Sequence, residues 1–283
     1  MSTYRDRTIF DPANICIYCG ATEPDTKLTT EHIIPLSLGG TMVLPKASCL
    51  KCADETKRIE GYAGRHVFQD VRIIHGFPTR RPKERPSHLP LRDSFSPSPK
   101  LAPIRLVPAK EHPGMLILVN PEPAGILLRR QPDEGAKWDP WVRQITGRER
   151  VDPLLKKGIS AKIYREIQPD LLLRLFAKIA LGVTFASFGG VSLFAFNNML
   201  SGIVLRRDTN PFYLVGGTTA EMDEFPTPPN KIIAHRAVVY NKTVNNISYL
   251  AIQLQLFAYL GTPIYTVIAG PLTEIGMKKL SMA

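Results

Sequence analysis

Two C-x-x-C pairs constrain this chain more than any other feature of its sequence. They are "CIYC" at residues 16–19 and "CLKC" at residues 49–52, and together they hold all 4 cysteines. Each pair places two thiolates on one tight turn, and two such turns complete a tetrahedron around Zn²⁺. Because sulfur would fill every coordination position, we expect a structural zinc rather than a catalytic one. The expected ligands are Cys16, Cys19, Cys49 and Cys52.

The segment between the two pairs is longer than the roughly 15–20 residues of a short zinc ribbon. It contains "TEHIIPLSLGG" at residues 30–40, in which Glu31 and His32 precede an apolar run and a pair of glycines. We interpret the apolar run as a buried strand and Gly39–Gly40 as a tight turn. An acid and a histidine at the edge of a zinc-stapled hairpin are candidates for chemistry.

The order of "CIYCG", "EHIIP", "LGG" and "ASCLKC" resembles that of the HNH endonucleases, also called ββα-metal nucleases, over roughly residues 14–65. The resemblance implies a zinc-stabilised ββα-metal module in which Glu31 binds a catalytic Mg²⁺ or Mn²⁺. It also implies that His32 is the general base, which deprotonates the attacking water. Both roles suit the chemistry, because imidazole titrates near neutral pH and phosphodiester hydrolysis needs a hard cation to offset the developing charge.

The chain departs from the family pattern at the second metal ligand. The family usually has asparagine or histidine directly after the second cysteine pair, whereas this chain has Ala53. It also lacks the family's middle asparagine, since none occurs between Asn14 and Asn120. The catalytic site therefore needs another ligand, and without one the module would bind nucleic acid but not cut it.

A helix over residues 53–62 offers two replacements for the missing ligand. Glu60 lies two turns after Ala53 on the same helix face, and we predict that it is the second ligand, with Asp54 in reserve. The alternative is an exposed Glu60 that pairs with Lys57 or Arg65 on the helix surface.

The chain carries a net charge of +11, and residues 65–110 hold much of it. That segment contains 10 Lys/Arg, 3 Asp/Glu and 8 prolines, which favours an extended basic arm over a helix. The arm is either a solvated connector or a contact for the DNA backbone. The predicted phosphate-binding residues are Arg65, Arg72, Arg80 and Arg81. His66 and His75 are further candidates for binding phosphate or protonating the leaving oxygen.

Residues 111–283 have the pattern of an α+β domain with a long central helix and antiparallel strands. We predict strands at "MLILV" (115–119) and "GILLRR" (125–130), a helix over 165–188, and a hairpin or meander over 230–270. The uncharged stretch at 179–196 is long enough to span a membrane, but Ser187 and the glycines after it favour a buried helix that ends there.

Three regions are therefore predicted: an HNH module at 12–66, a basic proline-rich arm at 67–110 and an α+β domain at 111–283. The predicted function is metal-dependent hydrolysis of DNA, with RNA as a further possible substrate and no membrane partner. Two alternatives remain: a zinc-stapled binding module that has lost cleavage, and a zinc ribbon that only supports the C-terminal domain. The N-terminal residues lack an apolar secretory segment, and clustered cysteines suit a reducing compartment, so we expect a cytoplasmic protein.

Overall fold

The computed structural model describes residues 7–79, 81–93, 104–157, 161–162, 166–189, 195–206, 210–218 and 235–282. These residues form a mixture of helices and mainly antiparallel strands, which confirms the predicted α+β class.

The N-terminal part is a ββα unit. Its elements are the strands β1 (Thr8–Ile9), β2 (Leu28–His32) and β3 (Met42–Cys49) and the helix α1 (Leu50–Tyr62). β2 and β3 are antiparallel, β1 adds to β3 in parallel, and α1 follows β3 without a linker. The β2–β3 register shifts between Thr29 and Glu31, opposite the segment in which Lys46 has a φ of 47°. This ββα order is the one that the motifs predict.

The "EHIIPLSLGG" motif folds differently from the strand and tight turn expected for it. Glu31 and His32 end β2 rather than begin a strand, and residues 33–41 form a loop with a 3-10 turn at Leu36–Leu38. A Cβ on Gly40 would lie 1.9 Å from the carbonyl oxygen of Ile34, and Gly39 has a φ of 85°. The two glycines therefore allow the loop between β2 and β3 to fold back on itself, and they do not form a tight hairpin turn.

After α1 the chain continues through a π-helical turn at Ala63–Val67 into a second helix, α2 (Gln69–Ile74). The described part of the predicted arm then contributes β4 (His88–Asp93), which pairs with β5 (Ile104–Pro108) and β8 (Ala161–Lys162). Residues 94–100, within the proline-rich segment, lie outside the described residues. The small sheet packs Leu91 and Val107 against Leu154.

The first predicted strand of the C-terminal region is confirmed and the second is wrong. β6 (Met115–Pro121) pairs with β7 (Trp138–Gln144), and α3 (Arg148–Lys156) follows. "GILLRR" instead forms a 3-10 helix at Gly125–Leu128, with the amide of Leu127 donating to the carbonyl of Ala124 at 2.8 Å. A short apolar run has no periodicity that separates a strand from a helical turn, so the neighbouring structure decides.

The long helix is α4 (Pro169–Phe188), within the predicted range. Pro169 occupies its first turn, as its missing amide permits, and Gly189 ends it with a φ of 59°. The remaining elements are α5 (Leu200–Val204), β9 (Val215–Gly217), β10 (His235–Val244), β11 (Ile247–Leu256), β12 (Tyr265–Pro271) and α6 (Glu274–Leu280).

The predicted meander is confirmed. β9 to β12 form an antiparallel sheet in the order β10-β11-β12-β9. Asn245 and Asn246 connect β10 to β11 with φ angles of 49° and 63°, which is the positive-φ geometry of a two-residue hairpin turn.

One hydrophobic core joins the ββα unit to this sheet, and α4 lies between them. Ile33 and Ile59 of the unit share a cluster with Phe176 of α4 and with Ile252 and Val267 of the sheet. Among the described residues, α4 is long and apolar enough to cross a membrane, but 83% of its apolar window is buried inside the protein. Such burial is typical of a core helix.

Candidate active site

The four cysteines converge as predicted. Their sulfur atoms all lie within 4.8 Å of one another, and those of Cys19 and Cys49 are 3.7 Å apart. Four thiolates around zinc, each about 2.3 Å from the metal, lie about 3.8 Å from one another, so the tetrad fits this ion. Cys49 also caps α1, because its Sγ accepts the backbone N–H of Cys52 at 3.5 Å. The zinc ligands thus position the start of the helix that carries Glu60.

The two predicted carboxylates meet at one ammonium group. Glu31 at the end of β2 and Glu60 in the last turn of α1 both contact Nζ of Lys178, which lies in the middle of α4. Nζ is 2.5 Å from Oε1 of Glu31 and 2.8 Å from Oε1 of Glu60. Lys178 is 0% exposed and Glu31 is 6% exposed, whereas the Glu60 side chain keeps 29% of its surface accessible.

Two backbone carbonyls complete the oxygen shell of the ammonium. Nζ of Lys178 donates to the carbonyl of His32 at 2.5 Å and to that of Ile33 at 3.2 Å. α4 can come this close because Gly182, one turn after Lys178, faces Ile33. A Cβ at that glycine would lie 3.2 Å from the side chain of Ile33.

The charges of this cluster shift the pKa values of its members. Burial by itself lowers the pKa of Lys178, but Glu31 and Glu60 outweigh that effect, so the pKa lies above its ordinary value and the lysine stays protonated. Burial raises the pKa of Glu31, and Glu60 raises it further against the opposing effect of Lys178. Burial, with Glu31 and Glu60 nearby, also raises the pKa of Tyr18.

His32 lies beside the ion cluster with its side chain half-buried. Its Nε2 is shielded from solvent, and its backbone carbonyl binds Lys178. The described conformation therefore differs from one in which Nε2 contacts an attacking water. The role of His32 as general base stays a prediction.

The acidic side chains of α1 lie on different sides of the helix. Lys57 pairs with Asp54, at 4.0 Å and with both side chains largely exposed, and Glu60 turns inward to Lys178 instead. The alternative of a surface pair between Glu60 and Lys57 is thus not what the structure contains. Asp54, the reserve ligand, lies on the exposed side of α1, away from Glu31.

The predicted phosphate-binding arginines differ in their surroundings. Arg65 is exposed just after α1. Arg72 is half-buried, and it donates from Nε to the carbonyl of Ser37 at 2.9 Å and from Nη1 to that of Gly64 at 2.6 Å. Burial, with Arg85 and Arg65 nearby, lowers the pKa of Arg72. Arg72 thus connects the loop after His32 to the π-helical turn.

Arg81 is exposed and pairs with Glu84 at 3.2 Å, while Arg80 lies outside the described residues. The two additional histidines have aromatic partners. His66 stacks on Tyr62 with ring centroids 5.4 Å apart, and His75 shares a 2.7 Å hydrogen bond with the hydroxyl of Tyr259. Burial lowers the pKa of His75.

Lys178 is the member of the cluster that sequence reasoning missed. The sequence contains an indication of its role. Lys178 and Arg174 interrupt an otherwise apolar helical run, and buried lysines and arginines need partners. Arg174 finds its partner locally, with Nε 2.8 Å from Oδ2 of Asp170. The partners of Lys178 lie far away in the sequence, in the ββα unit.

The donors of this cluster suit a hard divalent cation in kind. Carboxylate oxygens of Glu31 and Glu60 and the carbonyl oxygens beside them are the ligands that Mg²⁺ and Mn²⁺ prefer. Ala53 contributes no ligand, so Glu60 is the acidic side chain from α1 that reaches this position. The position itself is taken by the Lys178 ammonium.

Comparison with protein families agrees with the motifs. Residues 16–68 match the HNH endonuclease family, a range that begins at the first zinc ligand and ends after the π-helical turn. Comparison with curated proteins and with solved structures finds no match. The chain thus carries an HNH module, and these comparisons assign no role to the residues outside 16–68.

Proposed function

We propose that the HNH module at residues 16–68 is the catalytic part of an endonuclease that hydrolyses phosphodiester bonds in nucleic acid, with DNA as the expected substrate. One observation carries the proposal: Glu31 from β2 and Glu60 from α1 converge on a single cation position beside His32. These are the two elements from which a ββα-metal centre draws its ligands. Glu60 thereby takes the place that Ala53 leaves vacant in the motif.

Each side chain of the site has a role in this proposal. Glu31 and Glu60 would hold the divalent cation, Mg²⁺ or Mn²⁺, which when bound offsets the negative charge that develops on the phosphate. His32 would accept the proton of the attacking water, because it lies at the end of β2 beside the carboxylates and an imidazole titrates near neutral pH. The zinc cluster would fix the end of β3 to the start of α1. Because β2 pairs with β3, this also fixes Glu31 on β2 relative to Glu60 on α1.

Exposed basic side chains near the module would bind the nucleic acid backbone. Arg65 and Arg81 are exposed, and the chain as a whole carries a net charge of +11. Guanidinium groups match two phosphate oxygens at once, but such contacts do not read bases. We therefore expect these residues to support affinity with weak sequence preference.

A second candidate function has its own support. The module could bind nucleic acid without cutting it, and two observations favour this reading. Lys178 fills the cation position, and Ala53 stands where the family usually has a metal ligand.

A nicking assay separates the two functions. Zinc-loaded full-length protein is incubated with supercoiled plasmid and Mg²⁺ or Mn²⁺, beside His32→Ala and an exposed control on α1, Lys57→Ala. Nicking by the parent and by the control, but not by His32→Ala, supports the nuclease. Plasmid binding without nicking, by the parent and by Lys178→Met alike and at any divalent metal concentration, rejects it in favour of the binding module. Parallel incubation with single-stranded and double-stranded RNA shows whether cleavage extends beyond DNA.

A further inference from the structure

The ammonium of Lys178 is surrounded by oxygen atoms in the way that a bound cation would be. It contacts one oxygen from each of Glu31 and Glu60 and the backbone carbonyls of His32 and Ile33, at distances from 2.5 to 3.2 Å. Lys178 has no exposed surface, so no water competes for these contacts. A protonated lysine has three N–H donors, and this shell uses all of its hydrogen-bonding capacity.

A divalent metal and this ammonium exclude each other. A metal bound by both Oε1 atoms would occupy the position of Nζ itself, and like charges at such short range repel strongly in a buried site. A second feature points the same way, because Nε2 of His32 is shielded from solvent. The position of the cation and the shielding of this one ring nitrogen thus both describe a closed site.

We propose that Lys178 is an internal occupant of the catalytic cation position, and that a divalent metal enters only when α4 withdraws this side chain. The inference rests on the proposed function, since it concerns the same pair of carboxylates. It adds that a residue outside the HNH module controls the module. The described conformation is the closed, metal-excluding state.

The packing of α4 explains how the rest of the chain would act on the site. α4 shares one core with the sheet of β9 to β12, and Phe176 stacks on Tyr265 of that sheet with ring centroids 3.8 Å apart. Gly182 brings the same helix against Ile33, directly after His32. A ligand or partner that shifts the sheet would move Lys178 relative to Glu31. Metal binding would in turn loosen the contact between α4 and the module, because such coupling is reciprocal.

The test measures metal binding and not activity. Zinc-loaded full-length protein is titrated with Mn²⁺, and free Mn²⁺ is followed by electron paramagnetic resonance. Lys178→Met keeps the length of the side chain and removes its charge, and Lys57→Met makes the same change at an exposed site on α1. We expect Lys178→Met to bind one Mn²⁺ at least tenfold more tightly than the parent, and Lys57→Met to match the parent. Adding Glu31→Gln to Lys178→Met should abolish the gained site.

Two results would overturn the proposal. One is a folded Lys178→Met protein that binds Mn²⁺ no more tightly than the parent, which would make Lys178 a structural partner of the carboxylates. The other covers the case in which Lys178→Met fails to fold, and it uses Glu31→Gln in the otherwise unchanged chain. The proposal expects this variant to alter Mn²⁺ affinity less than twofold, so loss of a tight site would show that metal binds while Lys178 is present.

The binding result is independent of cleavage. If Lys178→Met gains the Mn²⁺ site and no variant nicks plasmid, the occupant role stands and the nuclease proposal fails. If the parent nicks plasmid and Lys178→Met gains no Mn²⁺ affinity, the nuclease stands and the occupant role fails.

Discussion

Nζ of Lys178 lies 2.5 Å from Oε1 of Glu31, and this contact joins the middle of α4 to the end of β2. The same ammonium reaches Glu60 on α1, so three elements meet at one buried charge. The HNH module and the C-terminal part of the chain are therefore connected through an ion cluster as well as through a shared apolar core. This connection has consequences for both stability and activity.

Removing the lysine alone should destabilise the protein strongly. Lys178→Ala leaves Glu31 buried without its counter-ion, and we expect the free energy of unfolding to fall by about 3–5 kcal/mol. Lys178→Met combined with Glu31→Gln should lose less than the sum of the two single changes, because it removes both charges. Urea unfolding of the parent, Lys178→Met, Glu31→Gln and the double variant measures this coupling. If the losses of unfolding free energy are additive, the interaction between the two side chains contributes little to stability.

Zinc should be required for the fold of the module. We expect one zinc per chain by elemental analysis, and loss of that zinc in Cys52→Ser. Without the metal, β3 and α1 lose their common anchor, so the unfolding transition should move to lower temperature or become less cooperative. A zinc-free protein with an unchanged transition would contradict the structural role of the cysteines.

Glu60 and Asp54 provide a matched comparison on one helix. If the chain nicks plasmid, Glu60→Gln should reduce the rate by about 10- to 100-fold, because it removes a carboxylate from the cation position. Asp54→Asn should stay within about twofold, since Asp54 is exposed and pairs with Lys57. Equal rates for the two variants would remove Glu60 from the site.

Arg72 and Arg81 should respond differently to truncation. Arg72→Ala removes hydrogen bonds to the carbonyls of Ser37 and Gly64, and we expect a loss of about 2–3 kcal/mol in unfolding free energy. Arg81→Ala should leave stability within about 0.5 kcal/mol, because its ion pair is exposed. It should instead weaken nucleic acid binding. The slope of the logarithm of the binding constant against the logarithm of the salt concentration should become shallower by about one, as measured by fluorescence anisotropy at several salt concentrations.

The half-buried His235 should make stability fall in mild acid. Its Nε2 donates to the carbonyl of Leu38 at 2.9 Å and its Nδ1 accepts the N–H of Phe257 at 3.4 Å, which requires the neutral ring. Burial lowers the pKa of His235 to about 4. Between the unfolded pKa of about 6.5 and the folded pKa of about 4, His235 is protonated in the unfolded chain and neutral in the folded chain.

Stability should therefore decrease as the pH falls from about 6.5 to about 4, by up to about 3 kcal/mol, and this contribution should level off below that range. Urea unfolding at several pH values measures the slope. His235→Gln removes the titrating group, and its curve should be flatter than that of the parent. Parallel curves for the two proteins would show that His235 does not titrate in this way.

Features that depend on neighbours in the sequence were predicted from the sequence. The convergence of the four cysteines follows from the two-residue spacing within each pair, and the end of α4 follows from the glycine after Phe188. Helix geometry placed Glu60 on the face of Ala53 and left its surface alternative open, and the contact with Lys178 decided between them. Each of these patterns lies within a short stretch of sequence, so it can be interpreted without knowing how the elements pack.

Features that depend on packing were not predicted. "GILLRR" contains a run that fits a strand or a helical turn equally well, and Gly125 forms a 3-10 turn against Tyr213. Arg72 is half-buried and binds the carbonyls of Ser37 and Gly64. These contacts leave no trace in the sequence, so the sequence predicted only a phosphate-binding role for this residue. The loop after His32 is longer than the expected turn, since Gly40 packs against its own loop.

By itself, the sequence determined that this protein has an HNH module with four clustered cysteines, a basic segment after it and a long apolar helix in an α+β region. Only the tertiary structure decided which cation lies between Glu31 and Glu60. The reason is physical: a charged side chain in an apolar helix must find buried partners, but the identity of those partners depends on which surface the helix packs against. α4 packs against the end of β2, and that placement puts Lys178 between the two carboxylates that we propose as metal ligands.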